Sequence, residues 1–142
     1  PTGGLDGMSL IEAANGKTRK EAFSNQALWT AKRTIIKESG EHRYKLIITY
    51  DPTYWPTPPV ELFDLSKDPD EKENLAESLP EIRDSLELEL RRWEDDQLRG
   101  RVDPLKKITE TGIPARAWVD SALKKYGISS YEEQRNLIDV PK

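Results

Sequence analysis

Residues 43–50 constrain the fold most strongly, because polar and apolar side chains alternate along them. Such alternation predicts a β-strand with one buried face and one face toward water. The buried face carries Tyr44, Leu46, Ile48 and Tyr50, and the opposite face carries Arg43, Lys45 and Thr49. A strand of this kind needs partner strands and an element that covers its apolar face.

Two segments upstream of this strand, residues 27–31 and 33–37, are rich in β-branched and aromatic residues. Both segments predict strands. Residues 38–41 have the sequence Glu-Ser-Gly-Glu, which is typical of a turn, and they lead directly into the main strand. We therefore expect an antiparallel hairpin in this part of the chain.

Four prolines interrupt residues 51–59, with Tyr54 and Trp55 between them. Because proline has no amide hydrogen to donate to a strand ladder, this segment predicts a stiff extended loop. Residues 60–65 then resume a short strand. Residues 68–71, with proline at the first helical position, predict a single helical turn.

A long helix is predicted to open at Ser78, which forms a capping-box pattern with Glu81. Gly100 is its expected end. The helix carries an apolar stripe that should lie across the buried face of the sheet. This stripe consists of Ile82, Leu86, Leu90 and Trp93.

The C-terminal part of the chain predicts further helices. Residues 114–126 read as a helix ended by Gly127, and a short further segment is expected to begin at Ser130. We thus predict an α+β fold, in which a small antiparallel sheet of about four strands is packed by one long amphipathic helix. Residues 1–98 form this unit, and residues 99–142 form a helical C-terminal extension.

Composition excludes several classes of function. The 142-residue chain has no cysteine and one histidine, so a disulfide scaffold, a cysteine nucleophile and a multi-histidine metal centre are excluded. The net charge of −4 disfavours nucleic acid, whose binding needs clustered Lys and Arg. No apolar run approaches the roughly 20 residues of a membrane-spanning helix. We expect a soluble chain without a signal peptide or a membrane partner, and its compartment stays open.

Tyr54 and Trp55 are the leading candidates for substrate binding, because a stiff proline-rich loop holds both aromatic rings. Two interpretations stay open: the rings stack on a sugar or aromatic ligand, or they pack against a neighbouring domain. His42, at the expected hairpin turn, is either an exposed turn residue or a further substrate contact. We assign no catalytic and no metal-binding residue in this chain.

Other charged and aromatic residues have two interpretations each. Six basic residues form either an anion-attracting strip or an ordinary solvated surface, namely Lys17, Arg19, Lys20, Lys32, Arg33 and Lys37. Trp29 and Trp93 are expected in the core. Trp118 is expected to dock the C-terminal helix on its own protein or on another subunit.

Three segments, in order, resemble a known family. They are residues 6–10 (DGMSL), residues 44–47 (YKLI) and residues 61–76 (ELFDLSKDPDEKENLA). The last segment resembles the E-L-Y/F-D-L-x-x-D-P-x-E-x-x-N-L signature near the C-terminus of sulfatases of the alkaline-phosphatase superfamily. The resemblance covers roughly residues 5–93. Physically, Asp64 and Asp68 suit bonds to turn amides and Asn74 suits turn closure, so these polar residues are expected to be structural.

The resemblance implies that the chain is the C-terminal, non-catalytic subdomain of a sulfatase. In such enzymes a C/S-x-P-x-R motif in a large N-terminal α/β domain supplies formylglycine, beside a bound calcium or magnesium ion. That domain is the expected partner, and the motif is absent from this chain. Because the chain starts at a proline, we expect it to be part of a longer protein. The alternative is a stand-alone interaction module, with a homo-oligomer formed through the C-terminal helix.

Overall fold

A computed structural model describes residues 7–55 and 57–127. In these residues the elements follow the order α1 (Leu10–Ala14), β1 (Glu21–Gln26), β2 (Ala31–Ser39), β3 (His42–Asp51), β4 (Val60–Asp64), α2 (Pro80–Leu98), α3 (Pro104–Thr111) and α4 (Pro114–Lys125). The strands form one antiparallel sheet in the order β1-β2-β3-β4. An α+β fold with a small antiparallel sheet is therefore confirmed. No helix in the described residues is long and apolar enough to cross a membrane.

The main core lies between one face of the sheet and α2. Ile35, Leu46 and Leu62 are fully buried and stand side by side across β2, β3 and β4. Tyr44, Ala76, Leu86 and Leu90 complete this cluster. Full burial of each large aliphatic side chain contributes roughly 1.5–3 kcal/mol, so the alternation along β3 supplies much of the driving force for the fold.

The start of α2 differs from the capping-box prediction by one residue. Leu79 occupies the N-cap without a side-chain cap bond, and the Ser78 hydroxyl instead donates to the Leu75 carbonyl at 3.2 Å. Pro80 explains the difference, because its fixed φ suits the first helical position and leaves Leu79 as the cap. The capping box is therefore wrong, whereas the helix itself is present and ends at Leu98.

The strand predicted over residues 27–31 is also wrong. Residues 28–30 form a bend, and β2 is one strand that starts at Ala31. Its outer partner is β1, which the sequence did not predict because only Phe23 among its side chains is even half-buried. The predicted hairpin between β2 and β3 is confirmed, with Gly40 in the turn at a φ of 62°.

Residues 68–71 form a non-helical turn rather than the predicted helical one. The Glu71 amide donates to the Asp68 carbonyl at 3.2 Å, but Glu71 itself has a left-handed φ of 56°. This conformation ends any helical path and brings the Glu71 carboxylate to Lys45 Nζ, at 2.7 Å. An ion pair between the loop and β3 thus replaces a helical turn.

The C-terminal helices pack on the start of β2. α4 matches the predicted helix, and Gly127 follows it with a left-handed φ of 69°, as expected. α3 was not predicted. A second buried cluster joins these helices to the sheet and consists of Ala31, Leu105, Ile113 and Ala115. The segment expected from Ser130 lies outside the described residues.

Candidate functional site

Asn74 ties the signature segment to the free edge of β4. Its Oδ1 accepts hydrogen bonds from the amides of Leu62 (2.9 Å) and Ala76 (3.0 Å), and its Nδ2 donates to the Val60 carbonyl at 3.1 Å. The Leu75 amide adds a bond to the Leu62 carbonyl at 2.7 Å. The side chain of Asn74 therefore takes the place of a further strand along this edge, whereas Asp68, and not Asn74, closes the turn of residues 68–73.

Asp64, the last residue of β4, is buried and doubly bonded. Its Oδ1 accepts the Ser66 amide at 3.1 Å, and its Oδ2 lies 2.7 Å from His42 Nδ1. Burial by itself raises the pKa of Asp64, but the bonds from His42 and from Ser66 outweigh burial and hold that pKa below its ordinary value. The acid thus serves the turn after β4, as expected from its place in the signature.

His42 makes internal contacts instead of standing free at the hairpin. Besides its bond to Asp64, its ring stacks on Tyr44 with the ring centroids 5.4 Å apart. His42 begins β3, whereas Tyr54 and Trp55 follow the other end of that strand. A ten-residue strand is about 30 Å long. The structure therefore does not bring His42 together with the other two candidate residues.

Tyr54 and Trp55 lie at the corner where the proline-rich loop meets α4. The Tyr54 hydroxyl bonds to the Arg116 carbonyl at 3.1 Å and to the Asp120 carboxylate. Burial and the Asp120 carboxylate together raise the pKa of Tyr54 to about 12. The loop is turned rather than extended, because the Trp55 amide donates to the Pro52 carbonyl at 3.1 Å. The loop and α4 thus form one structural unit.

Three of the four tryptophans of the chain meet at this corner. Trp29 stands edge-on to Trp55, with centroids 6.1 Å apart, and edge-on to Trp118, at 6.4 Å. Their exposed fractions are 43% for Trp29, 36% for Trp55 and 58% for Trp118. Trp29 was expected in the core, and that prediction is wrong because residues 28–30 form a bend before β2 instead of a strand with one buried face.

A cleft of about 340 Å³ opens between Trp29 and Trp55. Its other lining residues are polar, namely Gln26, Thr30, Lys32 and Thr57. The hydroxyl oxygens of Thr30 and Thr57 are buried and have no hydrogen-bond partner among the described residues. An unpartnered buried hydroxyl costs about 1–3 kcal/mol. We call the cleft lined by these six residues the tryptophan cleft.

A buried ion triad joins the sheet to the helices behind the tryptophan cleft. Arg33 of β2 donates to Glu94 of α2 and to Asp103 Oδ1, the latter at 2.6 Å, and all three residues are buried. Asp103 Oδ1 also accepts the Leu105 amide at 2.9 Å and so caps α3. Burial alone lowers the pKa of Arg33, but the bond to Asp103 and the charge of Glu94 outweigh it and leave the pKa raised.

The sequence did not predict this triad, because Glu94 and Asp103 follow Arg33 by 61 and 70 positions along the chain. Only the cap itself had a local signal: Asp103 precedes Pro104, the pattern of an N-cap followed by proline at the first helical position. That pattern is enough to predict α3. The buried arginine has no such signal, since charged residues are mostly exposed.

The six basic residues do not form one strip. Arg33 is buried on the α2 side of β2, while its neighbour Lys32 points to the other face and pairs with Glu61 at 3.5 Å. Lys37 pairs with Glu89 at 2.5 Å, and Lys17 pairs with Glu12 at 2.8 Å. Alternation along β2 thus divides these charges between two faces.

Trp93 packs as predicted. Its ring stacks on Phe23 with centroids 4.7 Å apart, and both residues pack against the main core. Trp118 lies against Trp29 of its own chain, which agrees with the first of its two predicted docking modes.

The described residues contain no group of three or more His, Cys, Asp or Glu side chains that suits a metal ion. The resemblance places its divalent cation in the N-terminal domain, so this cation is not expected among residues 7–55 and 57–127. The buried acids are occupied by other partners: Asp64 by His42, and Glu94 and Asp103 by Arg33.

Comparisons of this chain with protein-family models, with curated proteins and with solved structures returned no match. The function is therefore inferred from the residues and their geometry.

Proposed function

We propose that this chain is the C-terminal, non-catalytic subdomain of a sulfatase, a sulfuric ester hydrolase. In this proposal it completes the fold of the parent enzyme, and the corner at Tyr54 and Trp55 forms one wall of the substrate pocket. The parent's N-terminal α/β domain holds the formylglycine and the calcium or magnesium ion.

The observation that carries the proposal is the structural use of the polar residues in the sulfatase-like signature. Asp64 bonds to His42 and to a turn amide, Asp68 accepts the Glu73 amide at 2.8 Å, and Asn74 bridges the edge of β4. The acids and the amide of this pattern all bond to turn amides or to neighbouring strands, so the pattern maintains the fold around β4. This agrees with a signature that belongs to a supporting subdomain.

The segment before the sheet also supports a partner domain. Leu10 and Ile11 of α1 are 86% and 75% exposed, and no residue of this helix is buried. A five-residue helix has little stability of its own in water. Packing against the proposed N-terminal domain would cover these two apolar side chains and stabilise α1.

Reading the coding sequence upstream of Pro1 tests the proposal directly. We expect an open reading frame that carries a C/S-x-P-x-R motif some hundreds of codons earlier. A start codon immediately before Pro1 would contradict the proposal. A matched biochemical test is the turnover of an aryl sulfate by the 142-residue chain with calcium or magnesium, for which we expect no activity above the buffer control.

The alternative function is a stand-alone interaction or oligomerisation module. It is favoured by the exposed aromatic side chains of the last described helix and its cap, Trp118 and Tyr126. Sedimentation equilibrium separates the two functions. A stable dimer of the 142-residue chain that Trp118→Ala dissociates would support the module, whereas a monomer agrees with the subdomain.

A further inference from the structure

We propose that the tryptophan cleft is a saccharide-binding site, in which a pyranose ring packs into the corner formed by the touching indoles of Trp29 and Trp55, next to Trp118. The inference deepens the proposed function by naming a ligand class for one wall of the pocket. Binding can be tested without catalysis, because the described residues of this chain line the cleft.

The aromatic walls are held in place before any ligand arrives. Tyr54 anchors the loop to α4 through Arg116 and Asp120, and the Arg116 guanidinium also pairs with Asp51 at the end of β3, at 3.2 Å. Trp118 is on α4, and Trp29 lies two residues before the start of β2. Ordering the indoles therefore costs little on binding, which is the condition for useful stacking affinity.

The shape of the cleft favours a small ligand over a protein. The planes of Trp29 and Trp55 are 83° apart, so the two rings make a concave corner rather than a flat face. A volume of about 340 Å³ lies at the lower end of the roughly 300–1,000 Å³ typical of small-molecule pockets. A stable protein interface needs about 800 Å² from each partner, which is far more surface than six lining residues offer.

The chemistry of the lining favours a hydroxylated ring. Indole faces contact the apolar C–H faces of a ligand, while Gln26 and Lys32 supply hydrogen-bond donors at the same cleft. These two polar side chains make a ligand with its own donors and acceptors more favourable than a hydrocarbon. A pyranose combines both surfaces in one ring.

Nuclear magnetic resonance of the indole N–H groups tests the proposal on the 142-residue chain. The probes are cellohexaose, chitohexaose, maltohexaose and a chondroitin sulfate hexasaccharide, each titrated to about 10 mM so that millimolar dissociation constants are detected. We expect at least one probe to shift the signals of Trp29, Trp55 and Trp118. Trp93, stacked on Phe23 beside the main core, is the internal reference and should not move.

Two variants give the test its control. Trp29→Ala should weaken binding about tenfold, the change expected for the loss of one stacking contact. Leu88→Ala, a half-exposed apolar residue on α2, should leave the affinity unchanged. If Trp29→Ala proves unfolded, Trp118→Ala on the exposed side of α4 replaces it, with an expected loss of severalfold.

The absence of any shift with all four probes would overturn the proposal. Shifts of the three signals that depend on protein concentration without sugar would also overturn it, because they would show self-association through the cleft. Failure here is distinct from failure of the proposed function: an upstream C/S-x-P-x-R motif without saccharide binding removes only this inference. Saccharide binding with no such motif leaves a saccharide-binding module in place of a sulfatase subdomain.

Discussion

The sheet with α2, which we call the body, and the end formed by α3, α4 and the proline-rich loop are stabilised by different chemistry. The body has a continuous apolar core of large side chains. The end has a small buried cluster, half of it alanine, and makes polar contacts to the body through Arg33 and Asp51, while Tyr54 joins its loop to α4. We therefore expect the body to be stable without the end, and the end to depend on the body. The tryptophan cleft lies at the junction.

The largest expected loss of unfolding free energy comes from breaking the ion triad of Arg33, Glu94 and Asp103. Arg33→Ala leaves Glu94 and Asp103 buried without their cation, so we expect a loss of about 3–5 kcal/mol in the free energy of unfolding, measured by urea denaturation. Lys32→Ala is the matched control, since its ion pair with Glu61 is looser and partly exposed, and should cost no more than about 1 kcal/mol. Equal losses for the two variants would contradict the role of the triad.

The next prediction compares a substitution in the apolar core of the body with one in the buried cluster of the end. Leu62→Ala should cost about 2–5 kcal/mol, because a fully buried leucine of the body is lost, and it should destabilise both regions. Ile113→Ala, an equally buried residue of the end, should instead increase amide hydrogen exchange mainly in α3 and α4. Uniform loss of protection in both variants would show that the two regions unfold as one.

A substitution of Asn74 tests whether its side chain stabilises the free edge of β4 in the body. Asn74→Ala removes three hydrogen bonds and leaves the Leu62 amide without a partner, so we expect a loss of about 1–3 kcal/mol by urea denaturation. Asp70→Asn changes only an exposed ion pair in the same loop and should stay within about 0.5 kcal/mol of the parent. A neutral Asn74→Ala would refute the edge-capping role.

The lowered pKa of Asp64 predicts that the unfolding free energy of the body depends on pH. Because its pKa is held below the ordinary value, its contribution is fully present above about pH 4 and is lost as the pH falls through the lowered pKa. Asp64→Asn should cost about 1 kcal/mol at neutral pH and flatten the acid limb of the stability curve. Identical acid limbs, recorded by denaturation across pH, would exclude this role.

The smallest expected loss of unfolding free energy comes from Tyr54, in the region that we call the end. Tyr54→Phe removes the hydroxyl that bonds to Arg116 and Asp120, and should cost about 0.5–1.5 kcal/mol. An ultraviolet titration of the parent chain should show one tyrosine with a pKa of about 12, which is absent from the variant. Loss of a tyrosine that titrates in the ordinary range of about pH 10 would instead mean that Tyr54 is not bonded to α4.

The body was largely predictable because its residues follow simple periods. Alternation located β3, and a 3.6-residue period located α2 and its contacts Leu86 and Leu90. β1 could not be found in this way, since an edge strand with exposed side chains has no alternation and is defined by its pairing with β2. The start of α2 was misplaced because proline outweighed a serine cap.

The candidate site was predicted only in part. Tyr54 and Trp55 were identified from local rigidity, and the structure places both at the cleft corner. Trp29 and Trp118 join Trp55 through contacts between distant segments, which no local pattern contains. The Arg33 triad was missed for the same reason, and because burial of three charged residues runs against their usual preference for water.

Native-state hydrogen exchange of the 142-residue chain tests most directly whether the body is self-sufficient and the end depends on it. We expect the amides of β2 and β3 to exchange only through global unfolding, while those of α3 and α4 exchange through a smaller opening of lower free energy. Equal opening free energies for the two sets, or greater protection in α3 and α4 than in β3, would contradict the division into a self-sufficient body and a dependent end.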